Sequence, residues 1–278
     1  MNNLTNYHSH TSFCDGKAPM EAFIAEAVRQ GFTSYGVSSH APLPFRTRWT
    51  IDDREQTGLY LQEFARLKRL YGDRIELYVG LEIDYMDEDQ QPANDYFQSL
   101  PLDYRIGSVH LLHSTQGEIV DIDTKPEVFR EHVRLHLGGD LKRVVLAYFD
   151  KLMRMIGRGG FDFIGHADKI SYNVSCCEPN ILGQQWYKDK ISEYFTFIAE
   201  KGAMIEVNTK TLHRNGFLYP NKEHFGLIRT LGIPVVVNSD AHLPELINSG
   251  RPEALRLLKA SGIGAVWQLE RGVWTEVP

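Results

Sequence analysis

His8 and His10 stand one residue apart in the stretch YHSHTSFCDG, and Asp15 follows them. In an extended segment side chains alternate, so two imidazoles at this spacing face the same side. Imidazole nitrogens and carboxylate oxygens are the donors that borderline divalent metals accept. Two surface imidazoles on an edge strand would give the same spacing. The stretch therefore raises the question of a metal site, and the rest of the chain has to answer it.

Further residues of the same types close apolar runs. In YGVSSHAPLPF, His40 sits between Ser38–Ser39 and Pro42, which suit a tight turn. In YVGLEIDY, Glu82 lies between Leu81 and Ile83, where a carboxylate is costly to bury unless a cation balances it. YRIGSVHLLH ends its apolar run on His110, with His113 beyond it in the position of a surface residue. FDFIGHADKI ends on His166, after a Gly165 that permits close backbone approach, and Asp168 and Lys169 read as a local ion pair. VVVNSDAHLP runs from valines into Asp240 and then His242, a pairing that serves no purpose for stability alone. His132 and His136 are four apart on a helical pattern but lack the H-E-x-x-H arrangement. With His213 and His224 they read as ordinary residues. No P-loop, G-x-G-x-x-G or G-x-S-x-G stretch occurs, which removes most nucleotide and serine-hydrolase readings.

These residues need elements to position them. Extended candidates are Leu4–His10, Ser34–His40, Ile75–Ile83, Tyr104–His110, Phe161–His166, Met204–Asn208, Val235–Asp240 and Gly264–Gln268. Helical patterns lie between them, at Pro19–Gln30, Leu59–Leu70, Leu141–Ile156, Ile191–Ala199, Phe225–Leu231 and Pro252–Ala260. Strand and helix in alternation predict an α/β fold with parallel strands joined by crossover helices. Nearly every run finishes on His, Asp, Glu or Asn. In a parallel barrel such carboxyl ends converge on one rim, whereas an open sheet would spread them along an edge. A closed or nearly closed barrel is the expectation.

Composition sets the outer bounds. The chain has 278 residues, 42% hydrophobic and 24% charged, with a formal charge of −6. No linker-like segment divides it, so one domain spanning 1–278 is expected. The acidic balance argues against a nucleic-acid-coating surface. Cys14 and the neighbouring Cys176 and Cys177 read as reduced thiols, which with the absence of a signal-peptide pattern predicts a cytoplasmic protein. No apolar run is long enough to span a membrane.

The ordered set HSHTSFCDG, SSH, GLEID, GSVH, GHAD and NSDAH resembles the polymerase-and-histidinol-phosphatase (PHP) family, from residue 6 to about 260. The resemblance implies a distorted (β/α)7 TIM-like barrel with three divalent metal ions, Zn, Fe or Mn, at its carboxyl rim. It implies His8, His10, Glu82 and Asp240 on one ion. It puts Glu82, His110 and His166 on a second, and Asp15, His40 and His242 on a third. Glu82, Asp240 and His242 would be the catalytic members of that set. Length and the stretches GLEIDY and EVNTK are closer to the histidinol-phosphate phosphatase branch. Lys210, Thr211 and His213 depart from the NTSG-like continuation expected there, and the departure concerns the substrate pocket rather than the metals.

The reaction this implies is hydrolysis of a small-molecule phosphate monoester, L-histidinol phosphate. Clustered ions make hydroxide available at neutral pH and offset phosphoryl charge during in-line attack. Lys169, Asn208, Lys210 and Arg214 are candidates to hold phosphoryl oxygens, and Asp84 and Tyr85 to meet a cationic, imidazole-bearing leaving group. The alternatives are a phosphodiesterase acting on short nucleotides and a metal-binding module without catalysis. Oligomeric state and metal identity stay open.

Overall fold

The structure is a computed structural model that describes residues 4–278. Its strands, in chain order, are β1 (Thr5–Asn6), β2 (Ser34–Val37), β3 (Glu76–Asp84), β4 (Tyr104–Ser108), β5 (Leu111–His113) and β6 (Ile119–Asp121). They continue with β7 (Phe163–Ile164), β8 (Met204–Asn208), β9 (Val235–Asn238), β10 (Val266–Glu270) and β11 (Val273–Val277). Seven of them pair in parallel in the order β1-β2-β3-β4-β7-β8-β9.

The seam between β9 and β1 is closed by other means. His10 N–H donates to the Ala241 carbonyl at 2.8 Å, next to a Ser9–Ala241 bridge. Lower down, two asparagine side chains replace backbone pairing. Tyr7 N–H donates to Asn238 Oδ1 at 2.8 Å, and Ser239 N–H donates to Asn6 Oδ1 at 2.7 Å. The result is the nearly closed, distorted (β/α)7 barrel that the alternation and the motifs predict.

Helices cover the barrel because each carries one apolar face and defined ends. Met20–Gln30 buries Met20, Phe23, Ile24 and Ala27 and stops at Gly31, whose φ of 76° is open to glycine at little cost. Arg54–Tyr71 begins where Asp53 accepts the Gln56 N–H at 2.9 Å, and Leu141–Arg158 where Asp140 accepts the Arg143 N–H at 3.1 Å. No helix among the described residues is long and apolar enough to cross a membrane.

Aromatic side chains fill the amino end of the barrel. Tyr104 crosses the interior and its hydroxyl donates to the Tyr7 carbonyl at 2.6 Å. Gly80 makes room for it, since a Cβ there would lie 2.5 Å from the Tyr104 ring. The antiparallel β10–β11 pair packs Leu269 and Trp274 beneath this layer, and Leu269 N–H donates to the Tyr7 hydroxyl at 2.8 Å. Mouth and plug thus occupy opposite ends.

Two differences from the sequence reading bear on the site. Regular pairing stops short of the predicted strand ends: β1 ends at Asn6 rather than His10, β2 at Val37 rather than His40, and β7 at Ile164 rather than His166. At the rim the chain leaves the ladder to turn its polar side chains inward. The β5–β6 hairpin, which the alternation does not suggest, follows His110 directly and forms part of the mouth.

Candidate metal centre

Glu82 is the hub. It points into the barrel from β3, is 1% exposed, and has five imidazoles around its two oxygens. His8 Nε2 lies 3.1 Å, His40 Nδ1 3.1 Å and His10 Nε2 3.4 Å from Oε2. His166 Nε2 lies 2.8 Å and His110 Nε2 3.6 Å from Oε1, which also accepts the Ser108 hydroxyl at 2.7 Å. Asp240 Oδ1 adds a second carboxylate 3.2 Å from His10 Nε2. At the outer edge Asp15 Oδ2 stands 3.2 Å from His242 Nε2. All nine residues that the sequence nominates as ligands therefore meet at one rim. Donor atoms fall into three compact groups: His8, His10 and Glu82; His40, Glu82 and His110; and His10, Asp15, His40 and His242. The grouping differs in detail from the expected one: His40 also joins Glu82 and His110, while His166 and Asp240 fall in none of the three groups.

Backbone strain is concentrated here. His166 and Asp240 have φ of 29° and 49°, the left-handed region that non-glycine residues rarely enter. The cost, about 1–3 kcal/mol each, is sustained only where surrounding contacts fix the conformation. For His166 that contact is its own N–H, donated to Glu206 Oε2 at 2.8 Å.

Several ring nitrogens are held from behind. His8 Nδ1 lies 2.7 Å from Glu206 Oε1 and His110 Nδ1 3.0 Å from Asp84 Oδ1, which leaves both Nε2 atoms for the centre. His242 Nδ1 lies 3.0 Å from the Asp240 carbonyl, with Nε2 toward Asp15. Cys14 Sγ stands 3.5 Å from His10 Nδ1.

The donor chemistry fits divalent cations. Buried His10 Nε2, His40 Nδ1 and Asp15 Oδ1 make no well-aligned hydrogen bond despite the polar atoms close to them, a costly arrangement unless an ion completes it. Burial, with His242 and His40 nearby, holds the His10 imidazole well below its ordinary range, and burial brings His40 down to about 4. Both rings are therefore neutral and keep a lone pair at neutral pH. Burial alone would raise the Glu82 carboxyl, but His8, His40 and His110 outweigh it and keep it ionised. His110 runs the other way: burial lowers it, yet Asp84 and Glu82 push it up to about 10, so a cation would displace its proton.

The six residues named as substrate contacts are placed unevenly. Lys210 lines the mouth, a cavity of about 150 Å³, with Nζ 3.2 Å from Asp240 Oδ1. Lys169 is buried beside it, with Nζ 3.0 Å from Asp123 Oδ2. Asn208 is fully buried and donates to Glu206 and Asp240. Asp84 has both oxygens on His110 and stands behind that ring. Tyr85 is buried in the wall of a different cavity, and Arg214 is exposed on the short Leu212–Asn215 helix.

Four residues at the site were not singled out from sequence. Glu206 had a readable signal, since it lies between Ile205 and Val207 in an apolar strand, as Glu82 does in its own. Trp49, Asp121 and Asp123, which complete the mouth, lie in a loop and at the β5–β6 hairpin and carry no periodic signal. Of the remaining histidines, His132 holds the Asp121 carbonyl at 2.8 Å and His213 is exposed.

Known proteins are similar to this chain along most of its length. The chain aligns with "Probable histidinol-phosphatase" of Schizosaccharomyces pombe at 26% identity, over 95% of this chain and 89% of the relative. It aligns with histidinol-phosphatase of Bacillus subtilis at 25% identity, over 84% of this chain and 92% of the relative. The crystal structure of histidinol phosphate phosphatase from Lactococcus lactis, complexed with Zn, L-histidinol and phosphate, superposes with a TM-score of 0.71. It is 16% identical, and the match covers 98% of each chain. The PHP domain matches residues 6–210, nearly three quarters of the sequence, and the chain belongs to the PHP domain family.

Proposed function

We propose that this protein is a metal-dependent phosphate monoesterase and that its substrate is L-histidinol phosphate. The observation that carries the reading is Glu82, a buried carboxylate ringed by His8, His10, His40, His110 and His166 at the open end of the barrel. The names of the two curated relatives, and the ligands of the Lactococcus lactis structure, support the choice of substrate.

The three donor groups are suited to three ions, and His/Asp/Glu donors accept Zn, Fe or Mn. His8, His10, Glu82 and Asp240 would hold one. Glu82, His110 and His166 would hold the next, with His40 in reach, and Asp15, His40 and His242 the outermost. Divalent ions bound there would supply Lewis acidity, lowering the pKa of coordinated water toward ~7 and offsetting phosphoryl charge.

The chain's own groups do the remaining work. Lys210 Nζ, at the mouth beside Asp240, is placed to draw a phosphoryl oxygen toward the cluster. Lys169, anchored by Asp123, adds positive potential from the same side. Trp49 sets its ring edge-on to His40 and His110 and forms an apolar wall for an imidazole. Asp121 and Asp123 make the mouth acidic, which suits an ammonium group on the leaving alcohol. A cavity of about 150 Å³ fits a small monoester better than a dinucleotide. The test is a panel of phosphate esters on protein of known metal content. Histidinol phosphate should be turned over fastest, with activity lost on chelation and restored by metal. Preferred cleavage of a dinucleotide would overturn the reading.

A further inference from the structure

A second cavity, of about 450 Å³, opens beside the barrel mouth and shares no lining residue with it. One wall is the helix Leu141–Arg158, which presents Arg143, Ala147, Lys151 and Arg154 along one face. The opposite wall is mixed: the apolar Tyr85, Met86, Leu112 and Leu137 stand beside the acids Asp87 and Glu88.

The cations of this wall are unusual. Lys151 is 6% exposed and its Nζ has one partner, the Leu111 carbonyl at 2.8 Å. Among the described residues no carboxylate lies within ion-pair distance of Lys151, Arg143 or Arg154. The acids at the cavity are occupied elsewhere: Glu88 pairs with Arg158, and Asp87 accepts the Asp89 and Gln90 N–H groups. A buried ammonium with two free donors and no carboxylate in contact is expensive, and burial, offset only in part by the more distant Asp84 and Asp87, brings Lys151 down to about 8. Two exposed arginines at the rim would favour the approach of an anion to it.

We propose that this cavity is a binding site for a small organic carboxylate, its head on Lys151 and its apolar body against Met86, Leu112 and Leu137. One buried cation matches one negative charge. The arginines stay at the solvent rim, and Asp87 and Glu88 across the cavity oppose a second negative charge, so a monoanion is the better fit. The site is separate from the metal centre, and the inference does not rest on the reaction catalysed there.

The test is calorimetric titration of the metal-loaded protein with phenylacetate. Three comparisons decide it. The wild-type protein should bind one equivalent, and Lys151→Met should weaken binding at least tenfold. Ala147→Trp, which fills the cavity from an exposed position and leaves Lys151 in place, should also abolish it. Removal of the metals should leave the affinity unchanged. The proposal is overturned by absence of binding at millimolar phenylacetate, by equal affinity in Ala147→Trp, or by binding that disappears with the metals.

Discussion

Glu206 Oε1 lies 2.7 Å from His8 Nδ1, and the same carboxylate accepts the His166 N–H through its other oxygen at 2.8 Å. One buried acid on β8 thereby fixes the tautomer of one imidazole and the strained backbone of another, from opposite sides of the cluster. Asn208 and Asn238 donate to it at 2.9 and 3.0 Å, so all four contacts are made within the protein.

Replacing Glu206 should therefore act through the metals. Groups that orient a ligating imidazole are typically worth 10–100-fold in metal affinity. Glu206→Gln is expected to lower affinity by about that factor while the protein stays folded, as read by metal analysis after dialysis against graded chelator. An unchanged metal content would show that His8 is oriented by something else.

Lys210 should act on substrate and leave metal binding intact. Loss of one donor to a developing oxyanion costs about 10²–10³ in rate in comparable sites. Lys210→Met is expected to lower kcat/KM for the phosphate ester by about 10² with metal content unchanged. A wild-type kcat/KM would remove Lys210 from the account.

Much of this centre was legible because buried acids and imidazoles are conspicuous in apolar strands. Glu82 between Leu81 and Ile83, and Asp240 after three valines, stand out for that reason. Position along a strand does not say how deep a side chain lies or what it faces. Asp84 and Asn208 close their strands as candidate substrate contacts do, yet both lie buried with their polar atoms on His110, Glu206 and Asp240. Asp121 and Trp49 enter the mouth through tertiary packing of a hairpin and a loop, which no local pattern encodes. The closure of the barrel by Asn6 and Asn238 is likewise a long-range contact between the first and last strands.

The aromatic plug makes a separate prediction about stability. A Cβ at Gly80 would meet the Tyr104 ring at 2.5 Å, and overpacking of this kind costs about 1–3 kcal/mol. Gly80→Ala should lower the midpoint of chemical denaturation accordingly. Combined with Tyr104→Leu, which frees the space, its added cost should shrink. Strict additivity of the two changes would contradict the packing argument.

Burial alone brings His224 down to about 4, against an ordinary value near 6.5. The unfolded chain takes up that proton first, so stability is full above about pH 6.5 and falls as pH drops toward 4. The loss is about 3 kcal/mol for this residue. Asp168, 3.8 Å away, is pushed by burial up to about 7 and works in the opposite sense, so the informative quantity is the difference between variants. His224→Phe should lose less stability than the wild type between pH 7 and 4.5 (denaturation midpoints at each pH). Parallel pH profiles would contradict the assignment.

In the proposed reaction Glu82 gathers the divalent ions that carry out ester hydrolysis. The most direct test is to measure metal content and turnover of histidinol phosphate on the same preparation of Glu82→Ala. Metals and turnover should vanish together, with the fold retained by circular dichroism. Full turnover in that variant would show that hydrolysis does not depend on this carboxylate.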